Sequence, residues 1–165
     1  MVVSRYRTGT TAGARTVGFA GAEGTTYRLR VTARDEHGNH TMSAAETVTV
    51  PVDDGSLVYP ETGWTPIGSL DSFFRRTAHT ASAGSAELVV PFQGMYVAWI
   101  APKGPGLGSA DVLIDGGPPE TVHLTTASDS SRQVVFERDG LAPGPHTITI
   151  RPTVGEIAVD ALAAR

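Results

Sequence analysis

The 165-residue sequence contains no cysteine, which excludes disulfide bonds, cysteine-ligated zinc and a thiol nucleophile. Charged residues make up only 18% of the chain and its arginines are dispersed, so no nucleic-acid partner is expected. No apolar run approaches the roughly 20 residues that a membrane-spanning helix needs, so no membrane insertion is expected. Apolar residues at helical spacing are also nearly absent, and this absence leaves β-structure as the predicted class.

Alternation of apolar and polar residues recurs in short stretches and predicts an all-β protein. The clearest stretches cover residues 27–34, 48–52, 86–92, 95–99 and 110–114. The sequence has 19 glycines and 11 prolines, and turn-forming pairs such as Asp115-Gly116 separate the stretches. Many short strands joined by tight turns are typical of a β-sandwich or barrel.

A short hydrophilic segment, Asp53-Asp54-Gly55, follows the alternating stretch that ends near Pro51. Two acids and a glycine in this position predict a joint between two domains. We therefore expect a first domain over residues 1–54 and a second domain over residues 55–165.

The strongest local signature of the first domain is the sequence TTYRLRVTARD at residues 25–35, followed by a turn and a strand near Val48. This arrangement resembles the last two strands of a fibronectin type III domain, in which Tyr27 would be the corner tyrosine. Residues 4–8 and 15–20 resemble further strands of the same fold. Because a complete domain of this family has roughly 90–100 residues, the resemblance implies a partial immunoglobulin-like sandwich.

An incomplete sandwich would leave unpaired strand edges and an apolar face in contact with water. In the first domain that face carries Tyr27, Leu29 and Val31. We expect the second domain, or a second copy of the chain in a homodimer, to cover it. If neither does, we expect the first domain to be poorly ordered in isolation and the natural protein to extend upstream of Met1.

An ordered series of short motifs runs from Gly63-Trp64 to the end of the chain. The series continues with TAHT at 77–80, WIAPKGP at 99–105, ADVLIDG at 110–116, QVVF at 133–136, GPHTI at 144–148 and VDAL at 159–162. Their order resembles a galactose-binding-like jelly-roll module of the kind attached to secreted bacterial proteins. The resemblance implies a non-catalytic accessory module of a secreted or cell-surface protein, with polysaccharide or cell-surface glycan as its ligand.

Sugar recognition needs an aromatic surface for the apolar face of the ring and polar groups for the hydroxyls. Within the second domain, the predicted carbohydrate-binding residues are Trp64, Arg75, His79 and Tyr96. Trp64 also fits a plug at the end of the sandwich, and Arg75 also fits a solvated rim. Trp99 shares a strand face with apolar neighbours and is predicted to belong to the core.

Two other functions stay open at this point. A structural or adhesive spacer would have no small-molecule ligand and would bury its aromatic side chains. A fragment of a secreted hydrolase would need a Ser–His–acid cluster, but the five histidines are scattered and no Gly-x-Ser-x-Gly sequence is present. We therefore expect no enzymatic activity.

The sequence does not fix any metal ligands. Jelly-roll modules often hold a structural calcium ion through carboxylates and carbonyls, and Asp111 and Asp115 lie on one predicted strand face. No Asp-x-Asp-x-Asp loop accompanies them. A structural calcium ion is therefore an open alternative to the expectation that no cofactor is bound.

Overall fold

The computed structural model describes residues 19–35 and 37–165. These residues form an all-β protein, in which helix is limited to two single 3-10 turns, Asp54–Ser56 and Phe74–Arg76. The all-β prediction is therefore confirmed. The strand predicted over residues 4–8, and most of that predicted over 15–20, lie outside the described residues.

Fifteen strands, numbered in chain order, are present in the described residues. They are β1 (Thr26–Leu29), β2 (Thr32–Arg34), β3 (His40–Met42), β4 (Glu46–Thr49), β5 (Val52–Asp53), β6 (Trp64–Gly68), β7 (Thr77–Ser82), β8 (Leu88–Gln93), β9 (Val97–Lys103), β10 (Ser109–Ile114), β11 (Glu120–His123), β12 (Ser130–Arg138), β13 (Pro145–Val154), β14 (Glu156–Val159) and β15 (Ala161–Ala164).

The first four strands form two small antiparallel pairs, β1 with β4 and β2 with β3. The Tyr27 hydroxyl accepts a hydrogen bond from the backbone N–H of Ala22 at 2.9 Å, and its ring meets Phe19 edge-on. This tie to a nearby backbone group is the one expected of a corner tyrosine, but membership of the fibronectin family stays a prediction. Val31 is 70% exposed, and coverage of the Tyr27 face by a second copy of the chain also stays a prediction.

The remaining strands form three sheets, in the orders β11-β10-β13-β8, β12-β9-β15-β5 and β14-β7-β6. Side chains from all three sheets meet in one apolar core, as in a β-sandwich. Trp99 is fully buried in this core, which confirms the prediction from its strand face. Large aliphatic side chains from the facing strands fill the rest, with Leu88, Val112, Ile148, Ile150, Ile157 and Val159 among them.

The turn after β10 shows how the sequence sets the strand connections. Asp115 and Gly116 have φ angles of 53° and 67°, and the Gly117 N–H donates to the carbonyl of Ile114 at 2.9 Å. Two successive positive φ angles define a tight turn that favours Asp and Gly in this order. The hairpin turn predicted at Asp115-Gly116 is therefore confirmed.

The joint between the two halves is bonded to the sandwich. Strand β5 pairs with β15, so residues 52–53 already belong to a sandwich sheet, and the boundary between residues 54 and 55 stays a prediction. Glu23 from the first half accepts a hydrogen bond from Ser56 at 2.9 Å and forms an ion pair with Arg75. In the parts of the chain that the structure describes, no helix has the length and apolarity needed to cross a membrane.

Candidate functional site

Two of the four predicted sugar-binding residues lie in one aromatic cluster. Trp64 is on β6 and His79 on β7, and Tyr59 lies between their rings. The Tyr59 ring stacks on His79 with 3.9 Å between ring centroids, and its centroid lies 5.2 Å from that of Trp64. Tyr59 was not singled out from the sequence, because it lies in an irregular segment with no pattern.

Most polar groups of this cluster are bonded to other protein groups, although the buried Tyr59 hydroxyl has no partner among the described residues. Asp54 is almost fully buried, and its two carboxylate oxygens contact the Thr77 hydroxyl and His79 Nδ1, both at 2.7 Å. Trp64 Nε1 donates to the carbonyl of Ala86 at 2.9 Å. Burial and the nearby Asp54 raise the pKa of Tyr59 well above its usual value. These contacts stabilise the sheet and leave few polar atoms of the cluster free for a ligand.

Arg75 and Tyr96 lie apart from that cluster. Arg75 is exposed beside Phe74 and pairs with Glu23 of the first half. The Tyr96 hydroxyl donates to Glu137 at 3.0 Å, and the Arg165 guanidinium lies 4.2 Å from the centre of its ring. No hydrogen bond, ion pair or ring contact joins Tyr96 to the other three predicted residues within the described chain.

A cleft of about 520 Å³ opens at the loops around the end of β9. Four segments that are distant in the sequence line it. Pro102 and Leu107 supply apolar surface, and the largely buried Phe73 adds little. Lys103, Asp129 and Glu156 supply charge, and Ser72, Ser130 and Ser131 supply hydroxyls. The lining of this open cleft is therefore partly apolar and partly polar.

The loop over residues 104–108 is fixed by backbone hydrogen bonds on both sides. The Gly104 N–H donates to Leu124 at 3.0 Å, and the Gly108 N–H donates to Glu156 at 2.7 Å. A Cβ at Gly104 would overlap the Asp129 carboxylate, and a Cβ at Gly108 would overlap a backbone carbonyl of the neighbouring strand. Only glycine allows this close approach, which holds Asp129 and Glu156 on either side of the loop.

The side chains of Arg132 and Asp160 fix the backbone of the opposite wall, which Ser72 and Phe73 form. Arg132 donates to the carbonyls of Asp71 and Phe73 at 2.5 and 2.7 Å. Asp160 accepts a hydrogen bond from the Phe74 N–H at 2.7 Å. Burial raises the pKa of Asp160 to about 6. The cleft is therefore preformed by contacts beneath it.

The polar side chains that line the cleft are free of protein partners. Lys103, Asp129 and Glu156 make no side-chain hydrogen bond or ion pair with any other residue of the described chain, and neither do the three serine hydroxyls. Carboxylates accept hydrogen bonds, an ammonium donates them, and hydroxyls do both. The cleft can therefore bind a ligand with many hydroxyl groups.

A complete Ser–His–acid cluster is not found among the described residues. The Ser109 hydroxyl lies 2.8 Å from His123 Nδ1, but no described carboxylate bonds to the other nitrogen of that ring. His146 contacts Asp115 at 2.6 Å and the Ala142 carbonyl at 2.7 Å, so both of its nitrogens are occupied without a serine. Nor does the described part contain a group of three His, Asp or Glu side chains placed to hold a metal ion.

Comparison with known proteins gives a distant relative and a shared fold. No protein-family model matches the chain. The chain is 36% identical over 105 residues to an A type blood N-acetyl-α-D-galactosamine deacetylase from Flavonifractor plautii, a match that covers 62% of this chain and 13% of the deacetylase.

Two crystal structures of an exo-β-1,3-galactanase from Phanerochaete chrysosporium share the fold. The mutant with β-1,3-galactotriose has a TM-score of 0.52 and 15% identity, over 76% of this chain and 30% of the galactanase. The structure of the enzyme with galactose has a TM-score of 0.50 and 15% identity, over 77% of this chain and 30% of the galactanase. The chain thus spans about a third or less of each of these proteins, and the likeness to the galactanase is one of fold.

Proposed function

We propose that the chain is a non-catalytic accessory module that binds carbohydrate in the cleft around Lys103, Asp129 and Glu156. The observation that carries this proposal is the convergence of unpaired charged and hydroxyl side chains beside the partly exposed apolar side chains of Pro102 and Leu107. A sugar ring presents an apolar C–H face together with hydroxyls that both donate and accept, so it matches each part of the lining.

The relatives support a carbohydrate-related role. The deacetylase is named for N-acetyl-α-D-galactosamine, and the chain resembles a portion amounting to 13% of it. A match to so small a part of a larger enzyme favours an accessory role within a larger protein that acts on glycans. The absence of a complete Ser–His–acid group among the described residues favours binding over catalysis.

Trp64 and His79, two of the residues first predicted to bind sugar, lie with Tyr59 in the second candidate site. Trp64 and His79 use their polar atoms within the protein, and Arg75 pairs with Glu23. Binding there would require these contacts to be exchanged for contacts with the ligand, whereas the cleft needs no such exchange. The cleft is therefore the preferred site.

Titration calorimetry with galactose, N-acetylgalactosamine and glucose tests the proposal. We expect weak binding of at least one galactose-type sugar, with a dissociation constant near about 1 mM. Lys103→Ala and Ser130→Ala each remove a hydrogen-bonding group, so each should weaken binding by about threefold to tenfold. Ser82→Ala is the matched control, because Ser82 is exposed on β7 outside the cleft.

Three results would contradict parts of this proposal. Loss of binding in Arg75→Ala, with no change in the cleft variants, would move the site to the residues first predicted. No heat with any of the sugars would favour the spacer function. Release of acetate from N-acetylgalactosamine by the chain alone would show that it is an enzyme.

A further inference from the structure

Three aspartates of the sequence are followed directly by glycine, and they are Asp54, Asp115 and Asp139. In an Asp-Gly pair the glycine nitrogen reaches the preceding carboxyl carbon easily, because glycine has no side chain to hinder the approach. Attack of that nitrogen closes a five-membered succinimide ring. In a folded protein the attack depends on what holds the carboxyl and the backbone around it, and the three pairs differ in this respect.

Asp54 is restrained on all sides. Its carboxylate is almost fully buried, and its oxygens are bonded to the Thr77 hydroxyl and to His79 Nδ1, each at 2.7 Å. Its backbone N–H donates to the carbonyl of Asp160 at 3.2 Å, and its carbonyl accepts from Leu57 at 3.0 Å. Attack by the Gly55 nitrogen would require these bonds to break and water to enter.

Asp115 is exposed, but strand β13 holds it. Its carboxylate accepts a hydrogen bond from the Thr147 N–H at 2.8 Å and contacts His146 Nδ1 at 2.6 Å. Its own N–H donates to the carbonyl of Thr147 at 3.0 Å. The bond to His146 lowers the pKa of Asp115, and a carboxylate is a poorer electrophile than the neutral acid. Both effects disfavour attack by the Gly116 nitrogen.

Asp139 lies in the connection between β12 and β13, where both it and Gly140 are exposed. The Gly140 N–H donates to Asp139 Oδ1 at 2.8 Å, so this nitrogen already lies beside the carboxyl group that it must attack. The carboxyl makes no other hydrogen bond or ion pair with the described residues. A Cβ at Gly140 would meet no atom within 4 Å, so the space around the pair is open.

We propose that Asp139 is a site of spontaneous isomerisation to isoaspartate, and that the fold protects Asp54 and Asp115 from the same reaction. The Gly140 nitrogen bonds to Asp139 Cγ and loses its proton, and the carboxyl hydroxyl leaves with a proton as water. Water then attacks the former backbone carbonyl carbon of Asp139 and breaks its bond to the Gly140 nitrogen. The main chain now continues through Cγ. One water is released and one is consumed, so no oxidant or reductant is needed.

The rearrangement adds a methylene group to the main chain between two anchored points. Arg138 pairs with Val97 of β9, and the Leu141 N–H donates to the carbonyl of Met95 at 3.1 Å. The longer connection must shift one of these contacts. The proposal does not depend on carbohydrate binding, since none of these residues lines the cleft.

Peptide mapping of the folded chain after incubation in heavy-oxygen water is the test, with digestion in ordinary water. Every succinimide that opens takes up one heavy oxygen atom, so the label marks each aspartate that has reacted. Incubation is at about pH 5, where a carboxyl of ordinary pKa keeps a fraction of neutral acid. We expect label at Asp139 to accumulate at least about fivefold faster than at Asp54 or Asp115, because no bond to another residue must break there.

Two controls separate the fold from the sequence. In the urea-unfolded chain the three pairs should react at rates within about twofold of one another. Asp139→Glu should abolish the label at that position, because a six-membered ring closes far more slowly. Asp129→Glu, at an exposed aspartate outside an Asp-Gly pair, is the matched variant and should leave the label at Asp139 unchanged. Equal labelling of the three pairs in the folded chain would overturn the proposal, and so would a folded chain that takes up no label at Asp139.

Discussion

The aromatic cluster around Tyr59 and the cleft around Lys103 use similar polar residues in opposite ways. In the cluster, Asp54 is buried and both of its oxygens are bonded to Thr77 and His79. In the cleft, the carboxylates of Asp129 and Glu156 are exposed and have no partner among the described residues. We infer that the first set of polar groups stabilises the fold, whereas the second set is left to contact the ligand proposed above.

The largest predicted effect concerns Asp54, whose carboxylate is bonded within the aromatic cluster. Asp54→Ala would leave the Thr77 hydroxyl and His79 without their buried acceptor. Because removing one partner of a buried pair leaves the other uncompensated, we expect the free energy of unfolding to fall by about 3–5 kcal/mol. Urea denaturation measures this free energy. The Asp54→Asn variant keeps one acceptor oxygen, so its free energy of unfolding should fall by less. An Asp54→Ala variant as stable as the parent would show that the cluster does not support the fold.

A pH-dependent change of up to about 3 kcal/mol in the free energy of unfolding is expected from Asp160. This residue is fully buried, and one of its carboxylate oxygens has no partner among the described residues. Burial, opposed in part by the Phe74 N–H and Arg132, raises its pKa from 3.8 to about 6. Between those values the folded state retains a proton that the unfolded state releases. The free energy of unfolding contributed by this group therefore falls as pH rises through that window.

Asp160→Asn tests this expectation, because the amide keeps an acceptor for the Phe74 N–H but does not ionise. We expect the variant to be more stable than the parent above about pH 6, by up to about 3 kcal/mol, and to show no such gain below about pH 4. Urea denaturation at both pH values gives the difference. Parallel pH profiles for the variant and the parent would contradict the assignment.

The smallest predicted effect concerns the cleft side chains, which have no partner among the described residues. Lys103→Ala and Glu156→Gln remove no side-chain hydrogen bond or ion pair within the described chain. We expect the free energy of unfolding to change by less than about 0.5 kcal/mol in each, even though ligand affinity falls. A loss as large as that of Asp54→Ala would place these side chains among the structural ones.

The sequence predicts several strands and part of the core because both depend on local patterns, but the alternating stretch at residues 27–34 is divided between β1 and β2. Alternation located β8, β9 and β10, the face of Trp99 identified a core residue, and Asp115-Gly116 identified a turn. These features need only neighbouring residues, whose side chains alternate between the two faces of a strand.

The candidate site could not be predicted in the same way. Ser72, Lys103, Asp129 and Glu156 belong to four separate segments, and only the pairing of distant strands brings them together. Residue type alone predicts aromatic and basic side chains as sugar-binding groups, yet Arg75 pairs with Glu23 of the first half, a contact that no local pattern indicates. Around Lys103 the sequence shows alternating Pro and Gly residues at 102–108, a composition that is typical of a rigid loop and identifies no ligand.

The most direct test of the central claim is to map the binding site by nuclear magnetic resonance on the isotope-labelled chain. Backbone amide shifts are followed while galactose or N-acetylgalactosamine is added. The account predicts that the shifts that change with ligand lie at Ser72, Lys103, Ser130 and Glu156, around the cleft. Changes centred on Trp64, Arg75, His79 and Tyr96 would contradict it, and so would a spectrum that does not change at any sugar concentration.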